Sequence, residues 1–119
     1  MELVSVLVVG VGGSIGAVAR YAVGVAIERR AVDTLAVNVV GSFVLGMVLG
    51  IGVDIGSPLA LAVSVGFCGA FTTFSSFAVE TVGLAEDGHI NLAAVNAVGT
   101  LAVAILAVLV GISVGGRIV

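Results

Sequence analysis

Long apolar runs alternate along the chain with short clusters of charged and turn-forming residues. The clusters leave four segments, Leu3–Ile27, Leu35–Val53, Leu59–Gly83 and Ile90–Ile112. Each is long enough to cross a bilayer as a helix, which takes about 20 residues. The connections, Glu28–Thr34, Asp54–Pro58 and Leu84–His89, have room for a turn and nothing larger. The pattern predicts an all-α membrane protein, with residues 1–119 forming a single four-helix transmembrane domain. Asp33 or Thr34 suits the N-cap of the second helix, and Ser57 followed by Pro58 suits the cap and first turn of the third.

Composition strengthens this reading. Of 119 residues, 61% are hydrophobic and 9% charged, whereas soluble domains carry about 25% charged residues. Membrane lipid is therefore the expected neighbour of most of the surface. The net charge is −3, and the bases are Arg20, Arg29, Arg30 and Arg117 alone. They form no basic patch, which argues against nucleic acid as a partner. Cys68 is the single cysteine, so an intramolecular disulfide and a multi-cysteine metal site are both excluded. Apolar sequence begins directly after Glu2, without the basic region of a cleaved signal peptide, and the first segment is read as a membrane helix.

Orientation follows weakly from charge. The first and third loops share one side of the membrane and carry Arg29 and Arg30, while the other side carries Arg117. So small a bias leaves insertion in both orientations open, and two copies could then pair antiparallel. Gly12 and Gly16, Gly46 and Gly50, and Gly52 and Gly56 are each four apart. Such spacing lets helix backbones approach closely where lipid supplies no hydrophobic drive.

Two motif matches fail on context. Gly12-Gly13-Ser14-Ile15-Gly16 fits a nucleophile elbow, but the only histidine, His89, lies in a distant loop. The same stretch resembles a dinucleotide fingerprint, yet Ile15 stands where its last glycine belongs and no βα alternation follows.

Polar residues inside the spans carry most of the functional information, because they are costly in lipid. Arg20 sits toward the end of the first span, where its side chain could snorkel to the interface. Thr34, Asn38 and Ser42 share one helical face, and Asn96 and Thr100 repeat the spacing in the fourth span. The two stripes read as a water-lined or ion-lined path, or as an interhelical hydrogen-bonded seam. The densest cluster is Gly66-Phe67-Cys68-Gly69-Ala70-Phe71-Thr72-Thr73-Phe74-Ser75-Ser76-Phe77. Glycine, β-branched and hydroxyl residues together predict a third helix broken at mid-membrane, whose freed carbonyls could coordinate a cation such as Na⁺. Phe74 and Phe77 share a face, and their ring edges carry positive quadrupole charge that can meet an anion. Taken alone, the phenylalanines read as core packing.

Three stretches, in order, resemble the fluoride channels called Fluc or CrcB. They are Gly12-Gly13-Ser14-Ile15-Gly16-Ala17-Val18-Ala19-Arg20-Tyr21, Thr34-Leu35-Ala36-Val37-Asn38-Val39-Val40-Gly41-Ser42-Phe43, and the Gly66 to Phe77 cluster. The resemblance implies an antiparallel, dual-topology dimer with two narrow pores and a structural Na⁺ at its centre. It assigns the Na⁺ to backbone carbonyls of Gly69 and Thr72 from both subunits. It matches Phe74 and Phe77 to the rings lining the fluoride path, Asn38 to the pore asparagine and Arg20 to the arginine near the pore mouth. Thr34, Thr73, Ser75 and Glu80 fall at neighbouring polar positions.

Four departures accompany the match. Gly69-Ala70 replaces a glycine pair, Ser76 replaces a common threonine, and Asp33 stands where a glycine often occurs. Asn96 and Thr100 stand where relatives often carry Tyr and Ser. The implied function is passive export of cytoplasmic fluoride, protecting against its toxicity, by a multi-pass protein of the cell membrane rather than an enzyme. The partner subunit would be a second copy or a homologous chain. The alternative from the residues themselves is a small dual-topology, proton-coupled multidrug exporter. Glu80 is its only candidate carboxylate.

Overall fold

The computed structural model describes residues 2–118. Four helical segments are long and apolar enough to cross a membrane: Glu2–Ala26, Ala31–Ile51, Pro58–Glu86 and Ile90–Ile118. Among the described residues there is no strand. The first segment is helix α1 (Glu2–Ala26) and the second is α2 (Arg30–Ile51). The third comprises α3 (Pro58–Leu61), a π-helical stretch Ala62–Cys68, α4 (Gly69–Phe71) and α5 (Phe74–Glu86), and the fourth is α6 (Ile90–Ile118).

Helix ends follow local chemistry with one correction. Ser57 caps α3 as expected: its side chain accepts from the Ala60 amide, and Pro58 occupies the first turn. Helix α2 starts earlier than either predicted cap, and its N-cap is Arg29, which provides no side-chain bond. Asp33 instead lies within the first turn, where a carboxylate favours the positive end of the helix dipole. Gly52 ends α2 with a left-handed φ of 82°, and Gly88 turns the chain into α6 at 85°. Non-glycine residues rarely adopt that region.

Tight backbone contact organises the helices into two pairs. Along α1, a Cβ at Gly12 would overlap the Ala62 carbonyl, and one at Gly16 would overlap that of Phe67. Gly66 answers from the π-helical stretch, where a Cβ would lie 2.6 Å from the Val9 carbonyl oxygen. Along α2, Gly46 and Gly50 meet the carbonyls of Val108 and Ile112, while Gly111 and Gly115 of α6 meet those of Phe43 and Met47. Two predicted glycine faces thus pack helices, as small residues do in lipid. Gly52 and Gly56 do not, because Gly52 caps α2 and Gly56 lies in the turn beside Asp54.

The interior of the chain is small. Val37, Ala60, Cys68, Phe71 and Ala93 are its buried apolar residues, and large side chains such as Leu59, Val98 and Leu101 are mostly exposed. A surface so apolar requires lipid or another protein against it.

Candidate functional site

Helical order stops inside the third segment. Thr72 (φ −81°, ψ 164°) and Thr73 (φ −148°, ψ 123°) are extended, and the helix resumes at Phe74. Two backbone amides are redirected there. The Thr73 N–H donates to Asn38 Oδ1 at 2.8 Å, and Asn38 Nδ2 donates to the Thr73 carbonyl at 3.0 Å. One asparagine therefore satisfies both polar groups of one extended residue, as a neighbouring strand would. The Ser76 N–H donates to Thr73 Oγ1 at 3.1 Å, which caps α5. Consequently the Gly69 and Thr72 carbonyls lose the amides that a continuous helix would have aimed at them. Nothing stands within 4 Å of where a Cβ at Gly69 would be, so this face of the residue is open.

An open groove of about 420 Å³ adjoins this interruption, lined by Asn38, Ser42, Gly69, Thr72, Thr73, Phe74, Phe77 and Thr100 together with Ser64. Phe74 and Phe77 form a tilted pair with ring centroids 5.8 Å apart. Phe74 is 79% exposed, so it is not a core residue of this chain. Aromatic rings, an amide and the hydroxyl-bearing Thr73 and Thr100 thus line one concavity, while the Thr72 hydroxyl donates to the Cys68 carbonyl at 2.8 Å. Such a lining can replace the hydration of a small anion piecewise.

The other predicted positions lie outside this groove. Ser75 and Glu80 border a smaller depression of about 210 Å³ with Ser76 and Val79. Thr34 is buried and donates its hydroxyl hydrogen to Glu80 Oε2 at 2.8 Å, tying α2 to α5. Asn96 Nδ2 donates to Thr81 Oγ1 at 2.8 Å, joining α6 to α5. The polar stripes are therefore seam at Thr34 and Asn96, and groove lining at Asn38, Ser42 and Thr100. Arg20 reaches Asp33 rather than standing alone: Nη1 is 3.6 Å from Oδ2, with both side chains partly buried at 22% and 15% exposure.

Sequence reasoning missed three contributors. Ser64 lines the groove, four residues before Cys68 and eight before Thr72, a spacing that could have exposed it. Thr81 receives Asn96, and nothing local marks it, since the bond spans two helices. Asp33 was read as a cap, whereas its oxygens serve the Thr34 amide and Arg20.

The Arg20–Asp33 pair gives a direct prediction. Replacing Asp33 with Asn leaves a partly buried guanidinium uncompensated, and this should cost about 1–2 kcal/mol of stability. Adding Arg20→Met should recover part of the loss. A double-mutant cycle on thermal unfolding in detergent checks this, with a coupling of about 1 kcal/mol expected and additivity the contrary result.

Comparison with known proteins adds an independent line. Residues 7–112 match the family described as CrcB-like protein, Camphor Resistance (CrcB). The chain is 63% identical over 118 residues to "Fluoride-specific ion channel FluC 2" of Natronomonas pharaonis, covering 99% of this chain and 100% of the relative. It is 50% identical to the protein of the same name from Haloarcula marismortui, covering 91% of each chain. Identity to "Fluoride-specific ion channel FluC" of Acidobacterium capsulatum is 43%, covering 93% of this chain and 95% of that one. With four helices able to span a bilayer and a family match across most of its length, this chain is a multi-pass membrane protein of the CrcB family.

Proposed function

We propose that the chain is the subunit of a fluoride-specific channel that lets cytoplasmic fluoride leave passively. The observation that carries this reading is the groove beside the interrupted third segment. There Asn38, Thr73 and Thr100 supply polar groups and Phe74 and Phe77 supply ring edges, in a chain related to proteins named fluoride-specific channels. Fluoride is small and strongly hydrated, so its pathway needs closely spaced donors at fixed positions. Thr73, bonded through its own backbone to Asn38, is held in place for this role. Ser75 would extend the donor line toward Glu80. No bond is made or broken, and the chain acts as a channel rather than an enzyme. The exporter alternative gains no support from the relatives, which are named as ion channels.

The open groove and the apolar surface support a paired assembly, in which an antiparallel partner closes the groove into a pore. The partner would be a second copy or a homologous subunit. In that assembly the interruption lies at mid-membrane depth, and the Gly69 and Thr72 carbonyls of each subunit would hold Na⁺. The donor chemistry fits: neutral carbonyl oxygens suit a hard monovalent cation, and no group of three or more acidic, histidine or cysteine ligands occurs among the described residues. Bound Na⁺ would supply a fixed positive charge that clamps the interruption and favours an anion nearby.

Fluoride efflux from liposomes holding the purified protein tests the reading. Fluoride release with Na⁺ present, and far slower chloride release, is the expected result. Absence of efflux, or equal chloride release, refutes the proposal.

A further inference from the structure

Asn38 has a use beyond lining the groove. Both of its amide atoms are engaged by the backbone of Thr73, and the acceptor takes the one N–H that would otherwise close a helical turn onto the Gly69 carbonyl. Thr72, one residue earlier, still completes its own turn, donating its N–H to the Cys68 carbonyl at 3.0 Å. Helical bonding therefore ends at the residue that Asn38 captures. Without this capture, the Thr73 amide would have the Gly69 carbonyl as its nearest helical acceptor, and the backbone would relax toward a continued helix.

We propose that Asn38 is a positioning residue for the sodium site: by holding the Thr73 amide, it keeps the Gly69 carbonyl open to the cation. The inference rests on the Na⁺ assignment made above. It divides Asn38 between two tasks, since the amide nitrogen carries two hydrogens and only one goes to Thr73. The acceptor oxygen governs the cation, and the second N–H is left for the groove that Asn38 lines. The two tasks separate by substitution. Asn38→Leu removes both. Asn38→Asp keeps an acceptor for the Thr73 amide and loses the donor.

The test measures the Na⁺ concentration that half-maximally raises the thermal unfolding midpoint of the full-length protein in detergent, with N-methylglucamine as the replacement cation. Retention of radioactive Na⁺ on the same samples serves as the second readout. Asn38→Leu should weaken Na⁺ by about fivefold for each subunit, the worth of one backbone hydrogen bond competing for Gly69. Asn38→Asp should bind Na⁺ no more weakly than the wild type while losing fluoride flux. Phe74→Ile should lose flux with an unchanged Na⁺ midpoint. Should the leucine variant not fold, Asn38→Ser, too short to reach Thr73, replaces it with the same expectation.

Leucine and serine variants with wild-type Na⁺ midpoints overturn the positioning role, as does equal weakening by Asp and Leu. A wild-type protein whose stability and retention ignore Na⁺ overturns the sodium site itself, and the positioning role with it.

Discussion

Phe74→Ile or Phe77→Ile is expected to lower fluoride efflux by about tenfold while leaving a folded protein, because the branched aliphatic chain fills space but presents no positive ring edge. The geometry separates the two outcomes. Phe74 is 79% exposed in the protomer, so its loss removes little internal packing. Phe77 is half-buried and touches the groove from the next turn of α5, with its ring 5.8 Å from that of Phe74. On the proposed function, an anion stripped of water in this groove depends on each contact that replaces its hydration, so deleting an aromatic edge should weigh on passage of the ion rather than on the fold. Liposome efflux, read beside gel-filtration profile and helical circular dichroism, decides the matter. Full activity in either variant removes that ring from the pathway.

The second large effect concerns the helix pairs. In Gly46→Ala with Gly50→Ala, each new methyl falls on a backbone carbonyl of α6, at Val108 and Ile112. Backbone cannot step aside as a flexible side chain does, so α2 and α6 must separate. Each substitution should destabilise by about 1–3 kcal/mol, the usual cost of overpacking. Close approach is also what holds the helices together where lipid is as apolar as the side chains. Gly10→Ala and Gly99→Ala supply the control, since a Cβ at either position meets nothing within 4 Å. Those changes should be neutral, or stabilising by about 0.5–1 kcal/mol through the helix preference for alanine. Unfolding in a graded series of denaturing detergent compares the four variants, and equal loss in all of them would remove steric contact as the cause.

Both effects trace to residues whose importance could be read at different depths. Gly46 and Gly50 announce themselves by spacing on an apolar helix, and the carbonyls they meet belong to α6, far along the chain. Gly111 and Gly115 complete the contact with the same four-residue spacing on α6, a signal equally present in the sequence. Phe74 and Phe77 are marked by their register, and only the structure shows that both line a groove. The polar stripes show the same division. Spacing places Asn38 and Asn96 on polar faces. Asn38 turns out to serve an extended backbone and Asn96 a threonine hydroxyl, and which partner each meets depends on where α5 lies.

Misreading occurred where a residue had a long-range partner stronger than its local one. Asp33 resembles a helix cap in isolation, yet Arg20 on α1 and the Thr34 amide engage its two oxygens from inside the first turn. Thr34 takes the seam arrangement of its stripe, with its hydroxyl hydrogen directed to Glu80. A short polar side chain in a dry interior takes whichever partner packing brings within reach, because leaving it unpaired is costly.

Lipid as the solvent, the number of spans and the identity of the polar residues that a lipid-facing chain can carry only at a cost are all legible in the residue pattern. Those properties follow from composition and period, which are local. Helix packing set which side chains redirect the Thr73 and Ser76 amides, and which hydroxyl-bearing residues line a groove instead of bonding another helix. The reason is physical: helix periodicity sets the face on which a side chain sits, but hydrogen bonds between helices form only after close backbone contact has set their separation and register.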